Sequence, residues 1–294
     1  MTDAVETTGT IYDIGYRHYD GPRLGRRGAI EAVIGSGLRA VFGLGRSGRS
    51  KVIPWGAVIL AAMPAIVAVA VRVLAGDLLE LYSYENYVWG IGGLVPIFVA
   101  AQAPELVVND VRHRVLPLYF SRPMGRVDYV VAKVAALAIG LLSITLLPVL
   151  LLFIGRVVAA EDLAAALGDE VGALPAIFGS GILHAVVLAS FAIAVCSLAG
   201  RRAYAAGAVL ALFLVGGVIG EVLREAGGSF AELAPFMSPM SILDGTRQWL
   251  FGGAVAESPV SAANVPLPFY GLATLLLTLA SWAILALRYR RITA

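Results

Sequence analysis

Few side chains in this 294-residue sequence could do covalent or metal chemistry. The three histidines, His18, His113 and His184, lie in separate segments and give no HxxxH spacing for a metal site. Ser180 and His184 lie four residues apart on one predicted helical face, where they could act as nucleophile and base. A serine bonded to its own helix and a histidine bridging two helices are the simpler explanation, because no Asp or second histidine is placed to orient His184.

The single cysteine and the two lysines further limit the kinds of chemical site that the sequence could form. Cys196 has no partner for an intramolecular disulfide, and its simplest role is that of a small buried apolar side chain. Neither Lys51 nor Lys133 follows a glycine-rich run of the form GxxxxGK[ST], so the sequence has no nucleotide-binding loop. We therefore expect no catalytic residue, no cofactor, no metal and no nucleic-acid partner. If ATP drives this protein, another chain binds the ATP.

The elements that carry these residues are strongly apolar. Hydrophobic residues make up 59% of the sequence, mean hydropathy is +0.83 and charged residues make up 14%, which excludes a soluble domain. A helix rises ~1.5 Å per residue, so about 20 apolar residues cross a ~30 Å hydrocarbon core. Six such runs predict an all-α integral membrane protein with spans at about 52–74, 88–108, 129–154, 174–198, 203–223 and 267–287.

The basic residues are sorted between the gaps of these spans. If the N-terminus is inside, 18 of the 22 Lys and Arg fall on the cytoplasmic side, counting Lys133 with the loop that it borders. The other four are Arg72, Arg156, Arg224 and Arg247. This asymmetry predicts a multi-pass protein of the cell membrane with its N- and C-termini in the cytoplasm.

The sequence divides into a region 1–51, with a cytoplasmic arm and a helix, and a transmembrane domain 52–294. Between Arg26 and Arg46 the apolar residues fall on one broad helical face and Arg39 lies opposite. This pattern predicts an N-terminal interfacial helix that lies in the cytoplasmic membrane interface. A soluble helix packed on a partner is the alternative.

The cytoplasmic loop after the second span, residues 109–128, mixes arginines with large apolar residues. Apolar side chains of that size on a loop need something to cover them. Docking of another protein and packing back onto the bundle or the headgroups explain the composition equally well. The candidate docking residues are Asp110, Arg112, Arg114, Leu116, Leu118, Arg122 and Arg126.

Three further features bear on helix packing. Pro104 and Glu105 near the end of span two predict a broken helix end. Gly216 and Gly220 in span five form a GxxxG face that permits close helix approach. The outer segment 225–266 is apolar and rich in Pro and Gly, which predicts one or two short helices partly buried in the outer leaflet.

The order of these elements resembles the permease subunits of ABC type-2 exporters. A basic arm, an interfacial helix, six spans, a loop after span two and an apolar segment before span six recur in that family. The stretch Ser121–Pro123, followed by Arg126 and Lys133, looks like the family signature that leads into the third span. The arm Tyr12-Asp-Ile-Gly-Tyr-Arg-His-Tyr-Asp-Gly-Pro-Arg23 resembles that of actinobacterial members.

The resemblance implies a type-2 ABC exporter transmembrane domain that works as a pair. Two copies, or this chain with a paralogous permease, would sit in membrane lipid and recruit two ATPase subunits. ATP-driven closure of those subunits would push on the loop centred on Val111–Met124 and on the interfacial helix. Family members often carry a Glu-rich start to this loop, whereas this chain has only Glu105 and Asp110.

Two other classes are open at the level of sequence. A secondary transporter not powered by ATP is expected to place ionisable groups near the membrane midplane. Apart from His184, the polar candidates lie toward span ends: Gln102, Glu105, Lys133 and Glu221. An intramembrane enzyme built on Ser180 and His184 is the third class. The aliphatic spans are compatible with export of a lipophilic or amphipathic substrate.

Overall fold

The structure is a computed structural model that describes residues 21, 24–75, 82–160, 162–253 and 259–290. Over these residues the chain is helical without strands, and six helices are long and apolar enough to cross a membrane. The prediction of an all-helical, multi-pass membrane protein is confirmed at this level. The arm motif at 12–23 lies outside the described residues, apart from Gly21.

The described residues form fourteen α-helices and two 3₁₀ turns. The α-helices are α1 (Gly25–Val41), α2 (Arg49–Ala75), α3 (Tyr84–Gly90), α4 (Leu94–Arg112), α5 (Leu116–Phe120), α6 (Arg126–Thr145), α7 (Leu147–Val158), α8 (Leu163–Glu170), α9 (Leu174–Leu198), α10 (Arg202–Ala226), α11 (Ser229–Leu233), α12 (Pro239–Phe251), α13 (Pro259–Ala262) and α14 (Pro268–Arg290). The 3₁₀ turns are Val171–Ala173 and Ala234–Met237.

The second span starts later than the sequence predicts. Residues 88–93 do not belong to it, because α3 ends at Gly90 and a turn precedes α4. Three glycines in the stretch Gly90–Gly93 explain the interruption, since glycine is the least favourable residue in a helix after proline. The other five spans contain the predicted apolar runs almost entirely: Arg49–Leu74, Arg126–Val158, Leu163–Leu198, Arg202–Ala226 and Pro268–Arg290.

The expected helix break at Pro104 is wrong. α4 continues through Pro104 to Arg112. A proline removes only one ladder hydrogen bond, and α4 packs against α9 and α10. The break occurs in the third span instead, at Leu146 between α6 and α7, two residues before Pro148. Pro148 lacks the N–H that would continue the α6 ladder.

The six spans are unequally buried, and this sets the centre of the bundle. In the most apolar window of each span, 67% of the residues around α9 are buried, against 17% for α2 and for α10. A helix that is apolar on all sides and buried lies in a core. α9 is therefore the central helix, packed by α4, α6 and α14, while α2 and α10 turn broad apolar faces outward.

α1 packs along the bundle through a narrow buried stripe. Val33, Gly37 and Val41 are its buried residues, and α6 is its main neighbour. A Cβ on Gly37 would lie 2.7 Å from the Ala136 Cβ, so glycine is what allows α1 to approach α6. The sequence predicts a helix here correctly, and its buried face lies against α6 of the same chain.

One end of the bundle collects the segments that the charge pattern places together. The Glu105 carboxylate forms ion pairs with Arg46, after α1, and with Arg202, at the start of α10. The Arg288 Nε near the end of α14 donates a 3.2 Å hydrogen bond to the carbonyl oxygen of Ser197, at the end of α9. We call this the basic end. Its position on a particular side of a membrane stays a prediction.

The segment before the sixth span folds into the bundle. α11, the 3₁₀ turn Ala234–Met237 and α12 form consecutive short helices, of which α12 packs against α14 and α9. The sequence predicts short helices here, partly buried in lipid. In the structure the short helices are present, and α12 is buried by protein over much of its length, including its charged residues. Contact of the segment with lipid stays a prediction. We call the segment Ser229–Phe251 the re-entrant segment.

Candidate functional site

The candidate docking residues come together at the basic end. α4 ends at Arg112, α5 is a five-residue helix and α6 begins at Arg126, so the predicted loop is largely helical. Arg112, Arg114, Arg122 and Arg126 are exposed, together with Leu118. We call this set of five side chains the α5 surface.

The two leucines of the predicted site face opposite ways. Leu116 is buried at 3% exposure, whereas Leu118 is 69% exposed. Leu116 packs into the bundle, so the expectation that both leucines contact a partner is wrong for Leu116. Leu118 keeps its apolar side chain in the open, as does Val127, which is also 69% exposed. Of these two exposed apolar residues, Leu118 belongs to the α5 surface as defined above, and Val127 lies beside it in the sequence, next to Arg126.

Asp110 also points inward and not toward a partner. Its carboxylate lies 2.7 Å from the Lys133 Nζ and accepts a 2.8 Å hydrogen bond from the Tyr129 hydroxyl. Only 6% of the Lys133 side chain and 17% of the Asp110 side chain are exposed. Lys133 also lies over the ring of Tyr119, on α5, at 5.9 Å from its centroid. Burial, and then the Asp110 charge, raise the pKa of Tyr119.

These contacts attach α5 to two spans. Asp110 is on α4, Lys133 and Tyr129 are on α6, and Tyr119 is on α5. The rings of Tyr119 and Phe120 both pack on Tyr129, with centroids 5.4 and 6.3 Å away. A partly buried ion pair with aromatic packing around it resists displacement more than an exposed loop does. A force applied to α5 would therefore be passed to α4 and α6.

α1 is tied to the same cluster by a forked ion pair. The Arg26 guanidinium donates hydrogen bonds of 2.8 and 2.7 Å to the two Asp128 oxygens, at the start of α6. The Gly125 N–H donates to the same carboxylate at 2.9 Å, which caps the helix. The Asp128 carboxylate raises the pKa of Arg26. Because both oxygens of Asp128 are bonded to Arg26, this carboxylate does not neutralise the arginines of the α5 surface.

The turn between α4 and α5 holds an arginine in a conformation that favours glycine. Arg114 has φ 53°, and the N–H groups of Val115 and Arg114 donate to the carbonyls of Asp110 and Val111 at 3.1 and 3.3 Å. This bonding pattern ends many helices, usually with glycine in the place of Arg114. The left-handed conformation costs a non-glycine residue about 1–2 kcal/mol. A charged side chain is therefore kept on the surface at a cost to folding.

Three cations of the α5 surface have no partner within the described part of the chain. The side chains of Arg112, Arg114 and Arg122 make no hydrogen bond or ion pair with any described residue. The fourth, Arg126, lies over the Phe120 ring at 6.0 Å. Unpaired arginines around an exposed leucine form a basic rim with an apolar centre, which is a composition found at protein interfaces.

The glycines predicted to allow close packing do so within the chain. A Cβ on Gly216 would overlap the carbonyl oxygen of Met237, and a Cβ on Gly220 would lie 2.8 Å from the carbonyl oxygen of Ala234. Both carbonyls belong to the re-entrant segment. A Cβ on Gly217, next in sequence, would meet no described atom within 4 Å, so this glycine faces outward. The GxxxG face of α10 therefore receives the 3₁₀ turn of the same chain.

A buried polar cluster in the re-entrant segment is absent from the sequence-based expectations. Asp244 forms an ion pair with Arg247 and accepts a 2.9 Å hydrogen bond from the Gln248 amide, and these residues are 4%, 1% and 0% exposed. Beside them the hydroxyls of Thr246 and Thr274, on α14, are 2.8 Å apart. The spacing of three and four residues between polar groups in an apolar segment is the signal that could have found the cluster.

Ser180 makes the contact that the simpler explanation expects, whereas His184 is bonded to its own helix and, among the described residues, makes no hydrogen bond to a second helix. The Ser180 hydroxyl donates to the Ile177 carbonyl at 3.2 Å. The His184 Nδ1 lies 2.8 Å from the Ser180 carbonyl oxygen, which can only accept, so Nδ1 carries the proton. Both side chains are thus bonded to the backbone of their own helix.

The described residues hold no group of three or more His, Cys, Asp or Glu that could bind a metal ion, and Cys196 is buried and unpaired. No model of a known protein family matches the sequence, and no curated protein matches it either. A function for this chain therefore has to be argued from the chemistry and geometry of its side chains.

Proposed function

We propose that this chain is the membrane-spanning permease subunit of an ATP-driven transporter of the ABC type-2 exporter kind. The observation that carries the proposal is the α5 surface. It presents three unpaired arginines and an exposed leucine beside a helix that is fixed to two spans around the Asp110–Lys133 ion pair. A docking helix has to combine these two properties, a free outer face and a rigid attachment.

The partner that fits this surface is a cytoplasmic ATPase subunit with an acidic groove and an apolar pocket for Leu118. Charged rims steer association, and an apolar side chain in the centre supplies the energy of docking. The ATPase binds and hydrolyses the ATP, because this chain has no nucleotide-binding loop. Closure of two ATPase subunits would press on α5 in each of two permease copies, or in this chain and a paralogous one.

In this proposal, movement of α5 is transmitted into the helix bundle. Movement of α5 is passed to α4 and α6 through Asp110, Lys133 and Tyr129, and α6 is tied to α1 through the Arg26 fork to Asp128. In this proposal the N- and C-termini lie in the cytoplasm, the protein is in the cell membrane and the exported substrate is lipophilic or amphipathic. The outward apolar faces of α2 and α10 supply area for lipid and for a second copy.

Replacement of Leu118 by Asp tests the docking site. The full-length chain is coexpressed with candidate ATPase subunits, and the amount of ATPase that copurifies is measured. An aspartate at position 118 would enter the apolar pocket of the partner and would be repelled by its acidic groove. We expect copurification to fall about tenfold or more, which corresponds to a loss of ~1.4 kcal/mol in binding free energy. Insertion and thermal stability should not change, because Leu118 is exposed.

The matched control is Leu167→Asp, in α8. Leu167 is 45% exposed and lies away from the basic end, on the helix whose Glu170 forms an ion pair with Arg156 of α7. This variant should copurify the ATPase as the natural chain does. Equal retention of ATPase by Leu118→Asp would show that the docking site lies elsewhere. An ATPase that never copurifies and whose hydrolysis never responds to this chain would overturn the proposal.

Secondary transport is the second candidate, and the buried polar cluster favours it. Ionisable groups buried in a membrane bundle mark ion or proton paths in transporters that use gradients. Asp244 and Arg247 are such groups. Transport by the chain alone in vesicles, driven by an ion gradient without nucleotide and lost in Asp244→Asn, would favour this function over the ATP-driven one.

A further inference from the structure

A second polar feature of the basic end is an open cavity of about 500 Å³, separate from the α5 surface. It lies between the turn that joins α1 to α2, the middle of α4 and the start of α10. Its main polar lining consists of Arg46, Arg49, Gln102, Glu105 and Arg202. Small apolar residues complete much of the walls.

The cavity has more positive than negative charge. Glu105 is the one carboxylate among its described lining residues, and it pairs with Arg46 at 2.9 Å and with Arg202. The Arg49 side chain makes no hydrogen bond or ion pair with any described residue. Three guanidinium groups against one carboxylate leave the site with an unbalanced positive charge, so an anion would be attracted to it.

Gln102 points to a bound ligand. It is 5% exposed and lines the cavity, and its amide makes no hydrogen bond within the described part of the chain. More than nine in ten buried polar groups have a hydrogen-bond partner. The Gln102 amide atoms are not among the fully buried atoms without a partner, so they open onto the cavity, where a ligand with oxygen atoms or hydroxyls could bond both the donor and the acceptor.

Two long helices begin at the cavity. α10 has 25 residues and starts at Arg202, and its cap residue Arg201 supplies no side-chain acceptor for the first-turn N–H groups. α2 has 27 residues and starts at Arg49. A helix N-terminus carries a partial positive charge and free N–H groups, which favour phosphate. Ala203, in the first turn of α10, lines the cavity.

The cavity borders the face that α2 turns toward lipid. Ile53 lines the cavity and is 51% exposed, on the apolar outer face of α2. Trp55 is 45% exposed and its ring packs against Phe42 with centroids 5.7 Å apart. Tryptophan is enriched where spans meet the headgroup region. A ligand in the cavity could therefore have its charged part among the arginines and its apolar part along α2.

We propose that this cavity binds the phosphate group of an anionic phospholipid from the adjacent leaflet. The phosphate lies between Arg49 and the N-terminus of α10, and Gln102 bonds the polar groups of the headgroup. Glu105 holds Arg46 and Arg202 in place and leaves Arg49 for the lipid. This site is independent of ATP-driven transport, and it would be present in a permease or in a secondary transporter.

Native mass spectrometry of the purified full-length chain in detergent tests the site. Phosphatidylglycerol and phosphatidylcholine are titrated, and the fraction of protein with bound lipid is measured. We expect preferential retention of phosphatidylglycerol, and Arg49→Gln should weaken it about fivefold to tenfold, as the loss of one basic contact does. Lys51→Gln is the control, because it removes the same charge two residues away and outside the cavity lining.

The variant Gln102→Leu distinguishes a specific lipid-binding site from general electrostatic attraction of the lipid. It keeps the net charge and similar volume, so a fivefold or greater loss of phosphatidylglycerol would show that the amide contacts the lipid. Unchanged binding in Gln102→Leu, or equal losses in Lys51→Gln and Arg49→Gln, would overturn the proposal. Inorganic phosphate is added in a further arm. Displacement of phosphatidylglycerol by excess inorganic phosphate would show that the site takes the free anion and would overturn the lipid assignment.

Each variant is first compared with the natural chain for thermal unfolding in the same detergent. Arg49 and Lys51 are exposed, so their variants should unfold as the natural chain does. Gln102 has no hydrogen bond to lose, and leucine at this position should be tolerated. A loss of lipid in a variant with natural unfolding behaviour then supports the site.

Discussion

Arginine has opposite surroundings in two regions of this molecule. On the α5 surface, the side chains of Arg112 and Arg122 are exposed and make no hydrogen bond or ion pair with the described residues. In the re-entrant segment, Arg247 is 1% exposed and forms an ion pair with Asp244, which Gln248 also contacts. Water solvates the first two cations, whereas a buried cation requires a partner from the protein.

The two regions differ in whether folding supplies partners for the charged side chains. The Asp244 carboxylate is bonded by Arg247 and Gln248 within the re-entrant segment, so the fold supplies a partner for each of these three side chains. The cations of the α5 surface contribute nothing comparable to folding. A side chain that folding does not use is available for a partner, and this is why the docking proposal rests on α5.

The largest effect should come from breaking the buried pair. Arg247→Leu leaves the Asp244 carboxylate buried without its countercharge, which costs about 3–5 kcal/mol. The free energy of unfolding in detergent is the measurement. Arg122→Leu removes the same side chain from the α5 surface and should change that free energy by less than about 0.5 kcal/mol.

The double variant Arg247→Leu, Asp244→Leu checks the reason for this loss. Replacing both partners by apolar groups removes the unpaired charge, so most of the lost stability should return. If the double variant is as unstable as Arg247→Leu, the loss comes from packing and not from charge. A large loss in Arg122→Leu would remove the contrast between the two regions.

An intermediate effect is expected where α10 receives the re-entrant segment. Gly216→Ala places a Cβ onto the backbone carbonyl of Met237, so the segment must shift, at about 1–3 kcal/mol. Gly217→Ala is the matched control, because its Cβ meets open space and alanine favours a helix by up to about 1 kcal/mol. Thermal unfolding should therefore move in opposite directions for the two neighbouring glycines.

If Gly216→Ala were as stable as Gly217→Ala, the re-entrant segment would not be packed tightly against α10. A loss of pairing with a second copy in Gly217→Ala, at unchanged stability, would instead place an interface on the outward face of α10. The two readouts, unfolding and oligomeric state, keep these outcomes apart.

The smallest effect on stability is expected at Arg114, and its sign is favourable. Arg114→Gly relieves a left-handed backbone at φ 53°, so the protein should gain about 1 kcal/mol. The same variant removes a cation from the α5 surface and should lower ATPase copurification. Arg114→Lys is the control, because it keeps the charge and leaves the backbone strain unchanged.

A stability gain with unchanged docking in Arg114→Gly would show that the side chain is not needed for a partner. A stability loss would contradict the strain itself. Either result would weaken the inference that this surface is retained at a cost to folding.

Most of the fold is predictable because hydropathy and helix length are local properties. The apolar run at 174–198 predicts the bounds of α9 to the residue. The start of the second span is not predictable in the same way, since glycines interrupt an apolar run that is long enough to continue. Pro104 suggests a break because the sequence does not show the packing of α4 against its neighbours.

The candidate site is only half predictable for a related reason. Leu116 and Leu118 are two residues apart with the same composition around them, and only the position of the bundle settles which one is covered. Asp110 groups with the exposed arginines in the sequence because its partners, Tyr129 and Lys133, are 19 and more residues away along the chain. Asp244 and Gln248 escape notice because the apolar residues, prolines and glycines of their segment predict short helices but not which of its polar side chains face one another.

The amino-acid order alone is enough to establish a helical membrane protein with six spans and a strongly sorted set of basic residues. Which of those charges are paired inside the protein follows only from the packing of the helices. Arg26 meets Asp128 across 102 positions, and Arg202 meets Glu105 across 97. Hydropathy accumulates along consecutive residues and can be read locally, whereas an ion pair depends on two distant segments being brought within a few ångströms.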